Sequence, residues 1–260
     1  TILCCTPACA NKGESGALRR FSNTGNFQRG NTMIKFYYSG APNPMKVALM
    51  LEECGLEYEA MPVDTRKGDQ HKPDYTAINP NAKVPAIIDG DATVFDSNAI
   101  LLYLGEKTGK FMPAKGDKAR GELLSWLMFI ASGVGPYSGQ SVHFRNYTPE
   151  KIPYAINRYM YEAQRHYGII EARLAKQKYM LGDTYTIVDM ALWGWARLIP
   201  VALGEEYWAK FPNLKKLIDE ISARPAAARA NAVKDKHKFK AEFDDEARKA
   251  MFRHQVEQVA

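Results

Sequence analysis

The chain is 260 residues long and 46% hydrophobic, enough for one large domain or two ordinary ones with a proper core. Its net charge of +6 is divided: Lys12, Arg19, Arg20 and Arg29 against Glu14 leave +3 on residues 1–32, and the other +3 is scattered among acids, which excludes the massed basic face of a nucleic-acid groove. No run approaches the ~18 apolar residues of a membrane span, because the most apolar windows, 123–130 and 190–203, are interrupted by Ser125 and Arg197.

Cys4, Cys5 and Cys9 lie in the first nine positions, and only Cys54 lies in the body. That pattern excludes a disulfide framework in the body. With no CxxC pair and no zinc-ligand spacing, no metal is expected, and the body suits a reducing compartment, the cytoplasm. Residues 1–32 are polar, rich in Gly, Ser and Asn, and without periodicity. They read as a disordered leader, either non-native sequence ahead of Met33 or a targeting segment.

From Met33 onward, strand and helix signals alternate. Ile34–Tyr38 reads as a strand, and the turn Ser39-Gly-Ala-Pro-Asn-Pro-Met-Lys46 leads into a helix. There Val47, Met50, Leu51 and Cys54 share one face, and Gly55 closes it. Asn43, bracketed by Pro42 and Pro44, is the predicted N-cap, with Pro44 the first helical residue. Residues 58–63 read as a second strand and 67–75 as a polar turn with a weak helix. Residues 83–88 and 91–95 form a hairpin through Asp89-Gly90. Asp96 or Ser97 caps a helix whose Ile100, Leu101 and Leu104 face inward. The order is βαβαββα, an α/β domain over 33–108. Pro85 inside an apolar strand leaves two alternatives: an edge strand, or a cis Val84–Pro85 bond that turns a backbone amide toward a ligand.

Residues 109–116 read as a linker, followed by an all-helical domain over 117–230 with helices at 117–132, 149–176, 187–202 and 212–222. Thr186 and Asp189 have the spacing of a capping box, so Asp189 reads as a folding signal rather than a catalytic acid. Residues 231–260 mix charges densely and read as a solvated helical tail with a narrow apolar edge of Phe243, Ala247 and Met251. The chemically suggestive place is the turn at 39–46. A helix N-terminus at the end of a strand gathers N–H donors and the positive end of a dipole, a setting for an anion such as a thiolate.

Three segments carry a resemblance: Asn79-Pro-Asn-Ala-Lys-Val-Pro-Ala86, Phe95-Asp-Ser-Asn-Ala-Ile-Leu-Leu-Tyr103 and Gly182-Asp-Thr-Tyr-Thr-Ile-Val-Asp-Met-Ala191. Together they resemble the cytosolic glutathione transferases. Ala41-Pro-Asn-Pro-Met-Lys46 and the run from Gly139-Gln-Ser-Val-His-Phe-Arg145 to Ile152-Pro-Tyr-Ala-Ile-Asn-Arg-Tyr159 are similar to the Nu class of disulfide-bond oxidoreductases, relatives of the yeast nitrogen-regulatory prion protein's globular domain. The resemblance implies a thioredoxin-like domain packed on an all-helical one, a homodimer, and glutathione as co-substrate. It implies that the Val84 amide, presented by cis Pro85, pairs with the cysteinyl backbone. Asp96 and Ser97 would hold the γ-glutamyl end, and Gln70 and Lys83 would reach the glycine end. Asn43 would hold the thiolate, and Arg158 would face a second glutathione or a glutathione disulfide. Tyr137, His143 and Phe144 would line the acceptor pocket.

One departure stands at the centre. Two residues before Asn43 the family places Ser, Cys or, in the Nu class, Thr; here Ala41 offers only a backbone N–H. Ser39, Tyr37 and Tyr38 are further hydroxyls near the strand end. The expected function is a glutathione-dependent enzyme, a disulfide-bond reductase, peroxidase-like enzyme or transferase to a hydrophobic electrophile. The alternatives are a glutathione-binding regulatory module with little catalysis and a pure interaction scaffold.

Overall fold

Four strands, β1 (Ile34–Tyr38), β2 (Tyr58–Pro62), β3 (Ala86–Asp89) and β4 (Ala92–Phe95), form a mixed sheet in the order β2-β1-β3-β4. The structure, a computed structural model, describes residues 33–253; the expectations for the leader 1–32 and for the last seven residues of the tail fall outside the described residues. β1 runs parallel to β2 and antiparallel to β3, which pairs antiparallel with β4. β3 is therefore interior, which removes the edge-strand alternative for Pro85. Val84–Pro85 is cis and the strand begins only at Ala86, so the proline costs the ladder no donor. Asp89 pairs with Ala92, which makes the hairpin turn Gly90-Asp91 rather than Asp89-Gly90.

Three helices complete the first half: α1 (Pro42–Cys54), α2 (Pro73–Thr76) and α3 (Ser97–Thr108). α1 begins two residues earlier than predicted. Pro42, with its preset φ, is the first helical residue, Ala41 is the N-cap without a side-chain bond, and Asn43 is released from capping. Gly55, at φ 66, closes the helix as expected. Every residue from Pro44 to Leu51 is buried, more than one face, because α1 lies between the sheet and the helical half.

The helical half comprises α4 (Ala119–Phe129), α5 (Gly135–Asn146), α6 (Pro153–Leu174), α7 (Ile187–Ala196), α8 (Ile199–Ala202), α9 (Pro212–Ser222), α10 (Pro225–Ala232) and α11 (Asp245–Met251). A π-helical turn, Ile130–Val134, joins α4 to α5. α5 is absent from the sequence expectation; its stretch carries Gly135, Pro136 and Gly139, all poor helix formers. The predicted helix 187–202 is split at Arg197-Leu198 into α7 and α8, where Pro200 withholds a donor. The capping box forms as predicted. Asp189 accepts from the amides of Thr186 and Met180, both at 2.8 Å, and burial pushes its carboxyl up to about 6 against the pull of those donors.

The tail departs from expectation. Among its described residues after 236, only α11 is α-helical; 237–244 carries no regular structure and is tied to the first half. Lys240 N donates to Asp64 Oδ2 at 2.7 Å, and Arg66 donates to the carbonyls of Lys240 and Ala241. Phe243 and Phe252 pack on Tyr147 of the region after α5. One buried core runs through both halves, including Phe36 of β1, Val47 of α1, Leu127 of α4 and Trp193 of α7.

Candidate functional site

The N-termini of α1 and α3 meet α5 and α7 around a cleft of about 260 Å³, walled by Asn43, Lys46, Asp96, Ser97 and Asn98 on one side and by Pro136, Gly139, Gln140 and Trp195 on the other. A larger hollow, about 400 Å³, lies on the outside of the helical half between Tyr161, Arg165 and Lys210. Its Arg165 is already paired with Glu162 at 2.9 Å, so the cleft at the two helix starts is the better-equipped site.

Asn43 is oriented by a single bond: Trp195 Nε1 donates to its Oδ1 at 2.9 Å. An indole N–H is donor only, so it fixes which end of the amide is the acceptor and leaves the Nδ2 donor unused by that bond. Ala41 is not available in the same way, because its N–H is bonded to Ser39 Oγ at 3.3 Å. That contact engages the Ala41 N–H, while Ser39 Oγ only accepts and keeps its own hydroxyl hydrogen for another partner. Tyr38 is likewise structural. It is fully buried, its hydroxyl donates to the Val233 carbonyl at 2.8 Å, and burial raises its pKa to about 12. Tyr37 packs on Tyr75, and its hydroxyl is also shifted up, by burial and then by Glu59.

Asp96 caps α3, its Oδ1 accepting from the amides of Asn98 at 2.9 Å and Ala99 at 3.2 Å. It does so from φ 70, ψ 126, a left-handed setting that a residue with a side chain holds only when its surroundings insist. Ser97, next to it, is buried and accepts from Lys46 Nζ at 3.4 Å. Lys46 is the functional candidate that sequence reasoning passed over. The signal was a lysine one turn after Asn43 within the apolar run Pro44–Leu51. Burial lowers its pKa to about 7, with Asp96 pulling it back up. Trp195, which orients Asn43, had no readable signal because the two are 152 positions apart.

The Val84 amide pairs with no other backbone group among the described residues. Lys83 is exposed, and its carbonyl receives the Tyr75 hydroxyl and the Asn79 amide, both at 2.6 Å, which pins the turn before the cis bond. Gln70 is placed differently from expectation. It is buried under the C-terminal segment, with Nε2 donating to Ala250 O at 3.0 Å and Thr65 O at 3.3 Å.

Arg158 stands outside the cleft, half exposed, and donates to Glu162 at 2.7 Å, one turn along α6. The three acceptor-pocket candidates also face elsewhere. Tyr137 lies against His166 and Tyr159, Phe144 stacks on Tyr159 with centroids 5.1 Å apart, and His143 sits beneath Phe252. The α5 residues that reach the cleft are Pro136, Gly139 and Gln140. Among the described residues there is no cluster of His, Cys, Asp or Glu able to hold a metal, and no helix long and apolar enough to cross a membrane.

Comparison with known proteins gives the family. Residues 31–106 match the glutathione S-transferase N-terminal domain, and 149–225 match the C-terminal domain. The disulfide-bond oxidoreductase YfcG of Escherichia coli is 38% identical over 210 residues, covering 76% of this chain and 94% of that protein. The glutathione transferase URE2P6 of Phanerochaete chrysosporium, solved with oxidized glutathione, is 36% identical with a TM-score of 0.74, covering 79% of this chain and 98% of that one. A Burkholderia graminis glutathione transferase, solved with two glutathione molecules per subunit, is 35% identical with a TM-score of 0.71, covering 77% and 88%.

Proposed function

Because this chain belongs to the glutathione S-transferase family, we propose that the cleft binds glutathione with its sulfur at Asn43 and that the chain is a glutathione-dependent disulfide-bond oxidoreductase. The carrying observation is the Trp195–Asn43 bond, which holds an amide donor toward the cleft at the start of a helix. That donor and the helix dipole stabilise a thiolate, which a free thiol reaches only near pH ~8.5. Val84 pairs with the cysteinyl backbone, and Asp96 and Ser97 hold the γ-glutamyl end. Lys83 meets the glycine carboxylate. Gln70 is left out, since its amide donors are already taken.

With no protein cysteine in the cleft, exchange runs between small molecules. The bound thiolate attacks one sulfur of the substrate disulfide, forming a mixed disulfide and releasing the other sulfur as a thiolate. A second glutathione thiolate then attacks the glutathione sulfur of that mixed disulfide. Two glutathiones are oxidised to their disulfide, the substrate is reduced to two thiols, and the protons of the glutathione thiols end on them. Arg158, outside the cleft, is assigned to the carboxylates of that second glutathione.

The test is the glutathione-dependent reduction of a model dialkyl disulfide. Asn43→Ala lowers kcat/KM on the order of a hundredfold, as loss of a donor to a developing anion does elsewhere. Trp195→Phe, which removes only the orienting donor, costs about fivefold. Full activity in both Asn43→Ala and Arg158→Ala would refute this mechanism. One observation favours a second reading, a binding module with little turnover: Ala41 carries a methyl where the resemblance implies a hydroxyl or thiol. Calorimetric binding of glutathione without turnover on any disulfide or electrophile would select it.

The exposed Phe95 on β4 and Met128 on α4, 42% and 47% accessible, support assembly as a homodimer. Phe95→Lys then shifts the mass found by light scattering from dimer to monomer. The single body cysteine fits a cytoplasmic setting.

A further inference from the structure

Lys46 is a charge placed against every local preference. It lies near the start of α1, where the helix dipole disfavours a cation, and it is 1% exposed. Its one hydrogen-bond partner among the described residues is a neutral hydroxyl, Ser97 Oγ. The charged group that acts on it is Asp96, whose Oδ1 is committed to two backbone amides. α5 and α7 line the cleft with Pro136, Gly139, Gln140 and Trp195, none of them charged. A buried ammonium without a paired anion is costly and is normally replaced unless it has a task.

The fold makes room for it deliberately. Gly194 of α7 faces the lysine stem, and a Cβ there would stand 2.8 Å from Pro42 O and would overlap Lys46 Cγ. The direction of the bond carries the argument further. In its charged form Lys46 can only donate, so Ser97 Oγ is the acceptor, and the hydroxyl hydrogen is turned elsewhere. Ser97 is the first residue of α3, and Lys46 and Ser97 both line the cleft.

We propose that Lys46 is a positioning residue for the ligand's γ-glutamyl end: from behind Ser97 it fixes that hydroxyl as a donor into the cleft, and its charge selects a ligand bearing an α-carboxylate there. This rests on the glutathione reading above and deepens it. The anion recognised is the α-carboxylate of the glutamyl residue, not the glycine carboxylate and not the sulfur.

The test measures calorimetric binding of two probes that cannot ionise at sulfur: S-methylglutathione, and the same tripeptide with 4-aminobutyryl in place of γ-glutamyl, which keeps the ammonium and lacks the α-carboxylate. Wild type prefers S-methylglutathione by about tenfold or more. Lys46→Met, which keeps the packed stem, brings the two probes to within about twofold by weakening S-methylglutathione alone. Ser97→Ala, whose helix keeps its Asp96 cap, gives the same collapse and answers the question even if the lysine variant is poorly folded. Adding Lys46→Met to Ser97→Ala changes the ratio little further. A general loss of fold would weaken both probes equally. If either variant keeps the full wild-type preference, the proposal is overturned. If wild type binds neither probe, the glutathione reading itself fails and this inference goes with it.

Discussion

Asn43 shows how a residue's role depends on one distant partner. The sequence places it as a helix cap; in the structure Pro42 starts the helix, so the amide oxygen is free for the Trp195 indole and the residue lines the cleft. Lys46 is the complementary case, a side chain whose burial is a cost rather than a gain. Burial lowers its pKa from 10.5 to about 7. Between those values the unfolded chain holds a proton that the folded chain lacks, so stability rises with pH across that window, and below pH 7 the cost is felt in full. Relative to Lys46→Met, wild type gains about 3 kcal/mol of unfolding free energy from pH 6.5 to 9.5, read by urea denaturation at both ends. Equal slopes for the two proteins would show that the lysine is not the group responsible.

At the scale of elements, α5 is the instructive failure. The glycines of α5 and of the turn before it are not turn formers but places where a distant side chain comes close to the backbone. Gly135 and Gly139 face the Trp195 ring that orients Asn43, and Gly133 faces His166. His166 has nowhere to go. It lies between Phe129 and Tyr137, with ring centroids 5.1 and 5.0 Å away, and its Nδ1 is bonded to the Glu162 carbonyl at 2.7 Å. Gly133→Ala therefore overpacks a rigid ring and lowers stability by about 2 kcal/mol, seen as a lower urea midpoint at unchanged slope. A midpoint equal to wild type would mean that the π-helical turn absorbs the methyl. The capping box at Thr186 is the opposite case. Its bonds are local, its signal is local, and it forms as read.

Across the whole molecule, the C-terminal segment joins parts of the chain that are far apart in sequence. It contacts Tyr38 through His237 and Phe239, Asp64 and Arg66 through Lys240, and Gln70 and His71 through Ala250. Phe252 then reaches His143 and Tyr147. Removing the chain after Lys236 strips the loop 64–71 of these partners. Hydrogen exchange in that loop rises markedly in the truncated protein, while the capping box at 186–189 exchanges as before. Unchanged protection of the loop would show that its internal turns suffice.

Periodicity and turn chemistry alone determined the βαβαββα order, the helix 212–222, the Gly55 stop and the Thr186–Asp189 box, because each is decided by neighbours within a few residues. The motifs around Pro85 and Asp96 indicated where a ligand should sit. Only the tertiary structure decided which groups remain to meet it. The Ala41 N–H is taken by Ser39 Oγ, Gln70 by the tail, Arg158 by Glu162, and Asn43 is held by an indole from the helical half. A donor's availability is settled by what has already bonded to it, and those partners lie up to 180 positions away, beyond the reach of any local pattern.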